Sequence, residues 1–169
     1  MFRCCKRTPE QEFLLDKTIH KKVLVIGRPC IGKTKWVQSI VAFSNEDEYL
    51  YNPTIGIDYC SMFYNPSKNQ FISPFNIPYD GSYIYKIGVW DCSGDPRFFS
   101  IVKSYIEKVN EIWLCVKTED IHQIQKEIQE WKSVLQFSLS KLFVLHLPSS
   151  KFIPFIVGSS TSSSSFARP

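Results

Sequence analysis

Apolar residues fall along this chain in short runs of two kinds, and the two kinds alternate. Lys22-Val23-Leu24-Val25-Ile26 is a compact β-branched run, the composition of a strand buried on both faces. Trp36, Val37, Ile40, Val41 and Phe43 then recur at helical spacing and predict a helix to about Ser44. Asn45-Glu46-Asp47-Glu48 breaks that helix, and an exposed loop runs to Pro53. Ile55 to Phe63 reads as a strand. Tyr83, Tyr85, Ile87 and Val89 alternate with Ile84, Lys86 and Trp90, a period of two that predicts a strand ending at Trp90-Asp91. Phe98 to Val109 predicts a helix, and Ile112 to Val116 another buried strand. Thr118-Glu119-Asp120 offers a cap for a further helix, whose face is Ile121, Ile124, Ile128, Trp131 and Leu135. That stripe is core packing, not a cofactor site. Strands at Leu142 to Leu147 and at Phe152 to Val157 close the series.

Helices alternating with buried strands imply parallel strands joined by right-handed crossovers, an α/β layered fold. The regular pattern covers residues 21–157. Residues 1–20 read as a polar, basic leader, and residues 158–169 as a tail whose Ser159–Ser165 tract is low-complexity and expected to be disordered. Within the domain, residues 65–82 are rich in Pro, Asn, Ser and Gly, with Pro66, Pro74 and Pro78 spaced through them. That composition predicts an insertion loop with no regular element. Its aromatics, Phe71, Phe75 and Tyr79, either fold back on the body or form a contact surface.

Between the first strand and the first helix stands Gly27-Arg28-Pro29-Cys30-Ile31-Gly32-Lys33-Thr34, a full G-x-x-x-x-G-K-T phosphate loop. Glycines let the backbone curl so that successive N–H groups form an anion-binding nest. Lys33 can bridge the β- and γ-phosphates, and the Thr34 hydroxyl can ligate Mg²⁺. The helix that follows adds its N-terminal dipole. The phosphate-binding set is therefore Gly27, Cys30, Ile31, Gly32, Lys33, Thr34 and Lys35. Pro29 removes one N–H from the nest. A glycine turn with no ligand would share the local pattern; the order strand, loop, helix favours the phosphate site.

At 169 residues the chain is about one domain long, and 44% hydrophobic content suffices for a core. The net charge of +4 is mild and points to no nucleic-acid partner. No apolar run reaches the length of a membrane span and no signal-peptide segment follows the start, so an intracellular, cytoplasmic protein is expected. Cys30, Cys60, Cys92 and Cys115 sit singly, with no Cys-x-x-Cys pair, and read as reduced thiols. Cys4 and Cys5 lie among Arg3, Lys6 and Arg7. They are either a palmitoylation site giving peripheral membrane contact or part of a frayed basic tail.

Two further segments fit triphosphate chemistry. Asp91, at the end of an apolar strand, can hold Mg²⁺ through its water shell, and Gly94 lets a backbone N–H approach the γ-phosphate. Pro53-Thr54-Ile55-Gly56 supplies a hydroxyl that completes the metal shell. Order and spacing after the phosphate loop bind the three segments into one signal.

In these motifs the chain resembles a Ras-superfamily small GTPase, nearest the Rab branch. Thr54-Ile55-Gly56-Ile57-Asp58-Tyr59 resembles the switch-one sequence T-I-G-V-D-F, and Trp90-Asp91-Cys92-Ser93-Gly94-Asp95-Pro96-Arg97-Phe98 the switch-two sequence W-D-T-A-G-Q-E-R-F. The match runs from about Lys21 to Leu147. It implies a P-loop NTPase three-layer α/β fold with a mostly parallel central sheet. It also implies GTP and GDP as ligands and Mg²⁺ held by Thr34, Thr54 and, through water, Asp91. Gly94 would sense the γ-phosphate, and a monomeric switch would bind effector proteins in membrane or ciliary traffic. W-D-C-x-G-D, the enlarged loop before that strand and a degraded base motif are also similar to the Rab-like GTPases of intraflagellar transport.

Three departures qualify that expectation. The family's water-positioning Gln falls at Asp95, which is shorter, anionic and followed by the stiff Pro96, so hydrolysis is expected to be slow. The base-reading Asn-Lys-x-Asp falls at His146-Leu147-Pro148-Ser149, with no carboxylate; His146 either contacts the base or is a partly buried histidine with only a structural role. Ile153 to Ser160 resembles the final strand and Ser-Ala-Lys loop, which would put Ser159 and Ser160 beside the base. By the same resemblance the C-terminal helices of the family are expected to be missing or truncated, and no prenylation cysteine stands in residues 158–169. Two readings stay open beside the slow switch: a non-enzymatic interaction module on the same fold, and another phosphate-loop enzyme such as a nucleotide kinase. A kinase would call for an Arg-rich lid and would leave Thr54-Ile55-Gly56 unexplained.

Overall fold

The computed structural model describes residues 18–42, 53–73, 77, 83–147 and 151–153. In chain order these form β1 (Thr18–Ile26), α1 (Lys33–Ala42), β2 (Ile57–Asn65), β3 (Gln70–Ile72), β4 (Ile84–Cys92) and α2 (Phe99–Lys103). After them come β5 (Glu111–Val116), α3 (Ile121–Leu135), β6 (Leu142–His146) and β7 (Lys151–Ile153). One sheet holds all seven strands in the order β3-β2-β4-β1-β5-β6-β7. Its centre, β4-β1-β5-β6, is parallel throughout, as the alternation of strands and helices requires.

Burial follows position in that order. All six residues of β5, flanked on both sides and covered on both faces, are buried. On one face Leu24, Ile26, Ile112, Leu114 and Val144 pack against Ile124, Ile128, Trp131 and Leu135 of α3. On the other, Val23, Val25, Val89, Trp113 and Leu145 meet Trp36 and Val37 of α1. Trp36 and Trp113 stand edge to face with centroids 5.8 Å apart. These are the three layers of a P-loop GTPase fold. The register of β1 on β5 is pinned at the far end from the loops. There Lys22 and Asn110 exchange hydrogen bonds, Asn110 taking the Lys22 N–H on its side chain at 2.8 Å. Buried Glu111 accepts from Lys21 Nζ at 2.7 Å and from Trp113 Nε1 at 3.0 Å.

The structure changes the expected elements in four places. β1 begins at Thr18, because the long β4 continues to pair with it at Thr18↔Ile84. Its first five residues are not buried, so no apolar pattern marks them and they read as leader. Residues 65–82 are not wholly an insertion loop. Asn65 accepts from the Ser67 and Lys68 N–H groups, Asn69 adopts φ 52°, and the tight turn returns the chain into β3, antiparallel to β2. Phe71 thereby folds back onto Tyr64, centroids 5.4 Å apart, whereas Phe75 and Tyr79 lie outside the described residues. The helix expected over 98–109 is three pieces, a 3₁₀ turn at Pro96–Phe98, α2, and another at Ile106–Lys108. Ser104 donates both its N–H and its hydroxyl to the Ile101 carbonyl, tightening the α2 end to i→i+3 bonding. Finally, β7 runs antiparallel to β6, since the few residues between them are too short for a parallel crossover.

Candidate functional site

The loop after β1 crosses the carboxyl ends of the parallel strands, where α/β sheets bind ligands. Gly27 has φ 145°, and a β-carbon there would lie 2.7 Å from the Cys115 carbonyl oxygen of β5. The loop therefore rests directly on the strand, with the Ile31 side chain folded against Gly27. Gly32 has φ 98° and nothing within 4 Å of its missing β-carbon, so the space beside it is open. Cys30, at φ 60°, is exposed at the loop tip, and Lys35 is exposed on the first turn of α1. Lys33 is 6% exposed and donates to the Gly27 and Arg28 carbonyls, each at 2.9 Å, so the loop curls around its ammonium. Burial lowers the Lys33 pKa, against the opposing pull of Asp91.

Three oxygens converge beside that ammonium. Thr34 Oγ1 lies 2.9 Å from Thr54 Oγ1 and donates to Asp91 Oδ2 at 2.5 Å. Thr54 Oγ1 stands 3.5 Å from the same carboxylate oxygen. Asp91 is 2% exposed, and its second oxygen, Oδ1, is buried without a hydrogen-bond partner. Burial raises the Asp91 pKa, while the Thr34 hydroxyl and Lys33 pull it back. A buried carboxylate with one unsatisfied oxygen between two hydroxyls is a hard-oxygen donor set, and it fits Mg²⁺. Thr34 and Thr54 would hold the ion, with Asp91 behind them; the ion would neutralise phosphate charge.

Gly94 closes the site from above. A β-carbon on it would meet Pro29 N at 2.4 Å, Gly27 O at 2.5 Å and Arg28 C at 2.6 Å. The chain after β4 thus lies against the phosphate loop, and the Ser93 N–H donates to the Gly56 carbonyl at 2.9 Å. The segments holding Thr54 and Gly94 are thereby joined to each other.

With this geometry in view, one comparison decides the family. The family model for the Ras of Complex, Roc, domain of DAPkinase matches residues 22–146. The chain belongs to the Roc family. It is a GTPase-like domain of the Ras superfamily, and the matched span takes in the whole phosphate loop, Thr54, Asp91 and Gly94. No match among curated proteins accompanies it.

Two further expected residues of the Roc domain, Asp95 and His146, have partners within the chain. The Asp95 carboxylate is engaged: it accepts from the Arg97 N–H at 2.9 Å, from Nε at 2.9 Å and from Nη2 at 2.7 Å. It caps the 3₁₀ turn at Pro96–Phe98, and the Arg97 hydrogen bonds hold it below the usual carboxylate range. His146 ends β6 and is 8% exposed, with Nε2 3.3 Å from the Lys117 carbonyl and Nδ1 3.3 Å from Glu119 Oε1. Cys4, Cys5, Ser159 and Ser160 lie outside the described residues.

Sequence reasoning missed two features. Arg28, an unconstrained position of the motif, binds Glu127 through Nε at 2.5 Å and Glu130 through Nη2 at 2.9 Å. The phosphate loop is thus tied to α3; Glu127 and Glu130, one turn apart, were the only hint. Tyr59 stands opposite Trp90 across β2 and β4 with centroids 5.0 Å apart, and Trp90 is 6.1 Å from Tyr105. A cavity of about 180 Å³ between α1 and β2 also reaches Thr34 and Asp91. The Cys60 thiol on its wall is pushed up to about 11 by burial and stays protonated at neutral pH.

Proposed function

We propose that this Roc domain is a Rab-like molecular switch that binds GTP and GDP with Mg²⁺ and hydrolyses GTP slowly. The observation that carries the reading is the meeting of Thr34, Thr54 and the half-satisfied Asp91 beside the buried Lys33 ammonium. Hydrolysis is slow because Asp95 is turned to Arg97 and is anionic; it neither orients water nor tolerates an approaching γ-phosphate. The partner surface is the ladder Tyr59–Trp90–Tyr105 together with Ile55, since Ile55 is 82% and Tyr59 57% exposed. Ile55 follows Thr54 and Trp90 precedes Asp91, so loss of the γ-phosphate contact would move both ends of that surface. Effector binding in membrane or ciliary traffic, with Cys4 and Cys5 as the membrane contact, completes the proposal.

The test is binding of labelled GTP and GDP to the whole chain with Mg²⁺ and with chelator, followed by single-turnover phosphate release. Mg²⁺-dependent binding with slow release is expected, and Asp95→Gln is expected to speed release. No binding at micromolar protein would end the switch reading. Binding with no release in either form would leave a nucleotide-dependent interaction module in its place.

A further inference from the structure

A GTPase-like domain needs a group that distinguishes guanine, and the residues after β6 do not supply one. Guanine presents two adjacent donors, N1–H and the 2-amino group, and a carboxylate is the side chain that accepts both. His146 and Leu147 carry no carboxylate, nor do Pro148 and Ser149 after them. From the geometry around His146 we infer that Glu119, on the loop between β5 and α3, reads the base; this rests on the nucleotide-binding role proposed above.

The strand order places that loop correctly. Asp91 is the last residue but one of β4, the phosphate loop leaves β1, and β5 and β6 follow on the side away from Asp91. Neighbouring strands lie about 4.8 Å apart, so the β6 end is roughly 10 Å from the start of the phosphate loop. On the β4 side the space is filled by Thr54, Ser93 and Gly94. The nucleoside of a triphosphate seated on Lys33 therefore extends toward the ends of β5 and β6.

At those ends one carboxylate is held ready. The Glu119 side chain is 75% exposed, yet its Oε1 lies 3.3 Å from Nδ1 of the buried His146 ring. The same ring is fixed from below by the Lys117 carbonyl, and the Leu147 N–H is bonded to the Val116 carbonyl at 3.0 Å. The neighbouring acid is already engaged: Asp120 caps α3 by accepting from the His122 N–H at 2.8 Å, and its own N–H is bonded to Thr118 Oγ1 at 3.1 Å. The loop is thus rigid, and Glu119 is its outward-facing acid. Lys117-Thr118-Glu119 also carries the Lys-x-carboxylate spacing of the base motif expected after β6, moved one strand toward the phosphates. Arg28, bonded to Glu127 and Glu130, holds α3 and the phosphate loop on one frame, so the reader keeps its distance from the anchor.

Competition binding on the whole chain tests this with GTP, ATP and xanthosine triphosphate, in which a carbonyl replaces the 2-amino group. Wild type is expected to prefer GTP over both others by about 100-fold or more, as a site built around buried or fixed hydrogen bonds does. Glu119→Gln presents an N–H₂ donor instead of a second acceptor. It is expected to lose GTP affinity by roughly 10- to 100-fold and to gain xanthosine triphosphate, with ATP affinity unchanged as the control for folding and phosphate binding. An unchanged ratio of GTP to xanthosine triphosphate in Glu119→Gln overturns the assignment while leaving the switch reading intact. Equal binding of GTP and ATP by wild type overturns it too. Binding of no nucleotide defeats both readings together.

Discussion

Replacing Gly94 by Ala puts the closing contact of the phosphate site to the test. The added methyl would lie 2.4 Å from Pro29 N, 2.5 Å from Gly27 O and 2.6 Å from Arg28 C, against an ordinary contact that begins at 3.4 Å. The segment after β4 must therefore retreat by about 1 Å, since 3.4 less 2.4 is 1.0. None of the three atoms can rotate away, because all belong to main chain. Nor can the loop readily yield: Lys33 ties the Gly27 and Arg28 carbonyls, and Arg28 is tied to Glu127 and Glu130. Overpacking of this kind costs about 1–3 kcal/mol. For a chain of this length that lowers Tm by roughly 2–4 °C per kcal/mol, hence by about 2–12 °C. At the proposed phosphoryl-transfer site a displacement near 1 Å also costs on the order of 100-fold in rate. Thermal unfolding of the nucleotide-free protein and single-turnover phosphate release read the two effects. Gly88→Ala is the control, since its methyl meets the Tyr59 hydroxyl at 3.2 Å and its ring at 3.3 Å, an exposed side chain able to shift. A Gly94→Ala protein with wild-type Tm and rate, or one less affected than Gly88→Ala, refutes the argument.

Glu111→Ala removes the carboxylate to which Lys21 Nζ and the buried Trp113 Nε1 both donate, and is expected to cost about 1–3 kcal/mol. Urea titration should show a lower midpoint with Glu111→Gln intermediate; an unshifted midpoint would contradict it. Lys33 gives a pH signature of unusual sign. Burial lowers its folded pKa, so between that value and the ordinary lysine value of 10.5 the unfolded chain binds more protons, and stability rises with pH across the window. Urea stability measured from neutral to alkaline pH should climb in wild type relative to Lys33→Gln, and parallel curves would refute the burial argument.

The central sheet was legible because its strands are buried on both faces, which forces continuous apolar runs at Val23–Ile26 and Ile112–Val116. Where only one condition held, the reading failed. Thr18 to Lys22 pair with β4 but stay unburied, so backbone hydrogen bonding shaped them with no trace in hydropathy. β3 is three residues long and lies beyond a Pro-containing turn, too short for a period of two to show. Phe98 to Val109 reads as one helix because 3₁₀ and α turns place apolar residues almost alike over so short a span.

The convergence of Thr34, Thr54 and Asp91 could be read because each part carries its own local signature. Thr34 and Thr54 are 20 residues apart and Thr54 and Asp91 37, yet a hydroxyl after G-K and an acid at a strand end are each recognisable alone. Arg28 and Glu127 are 99 residues apart, and Glu130, one turn on from Glu127, is the sole local sign of a cation-binding helix face. The base side has that second character: His146 and Glu119 meet only because β5 and β6 end side by side. A phosphate is gripped by main-chain N–H groups, which demand a particular backbone and so a particular local sequence. A base edge is met by one side-chain acceptor, and any strand end that reaches it can supply that acceptor. A base reader can therefore move from one loop to the next while the phosphate loop stays fixed, and Glu119 is where that freedom points in this chain.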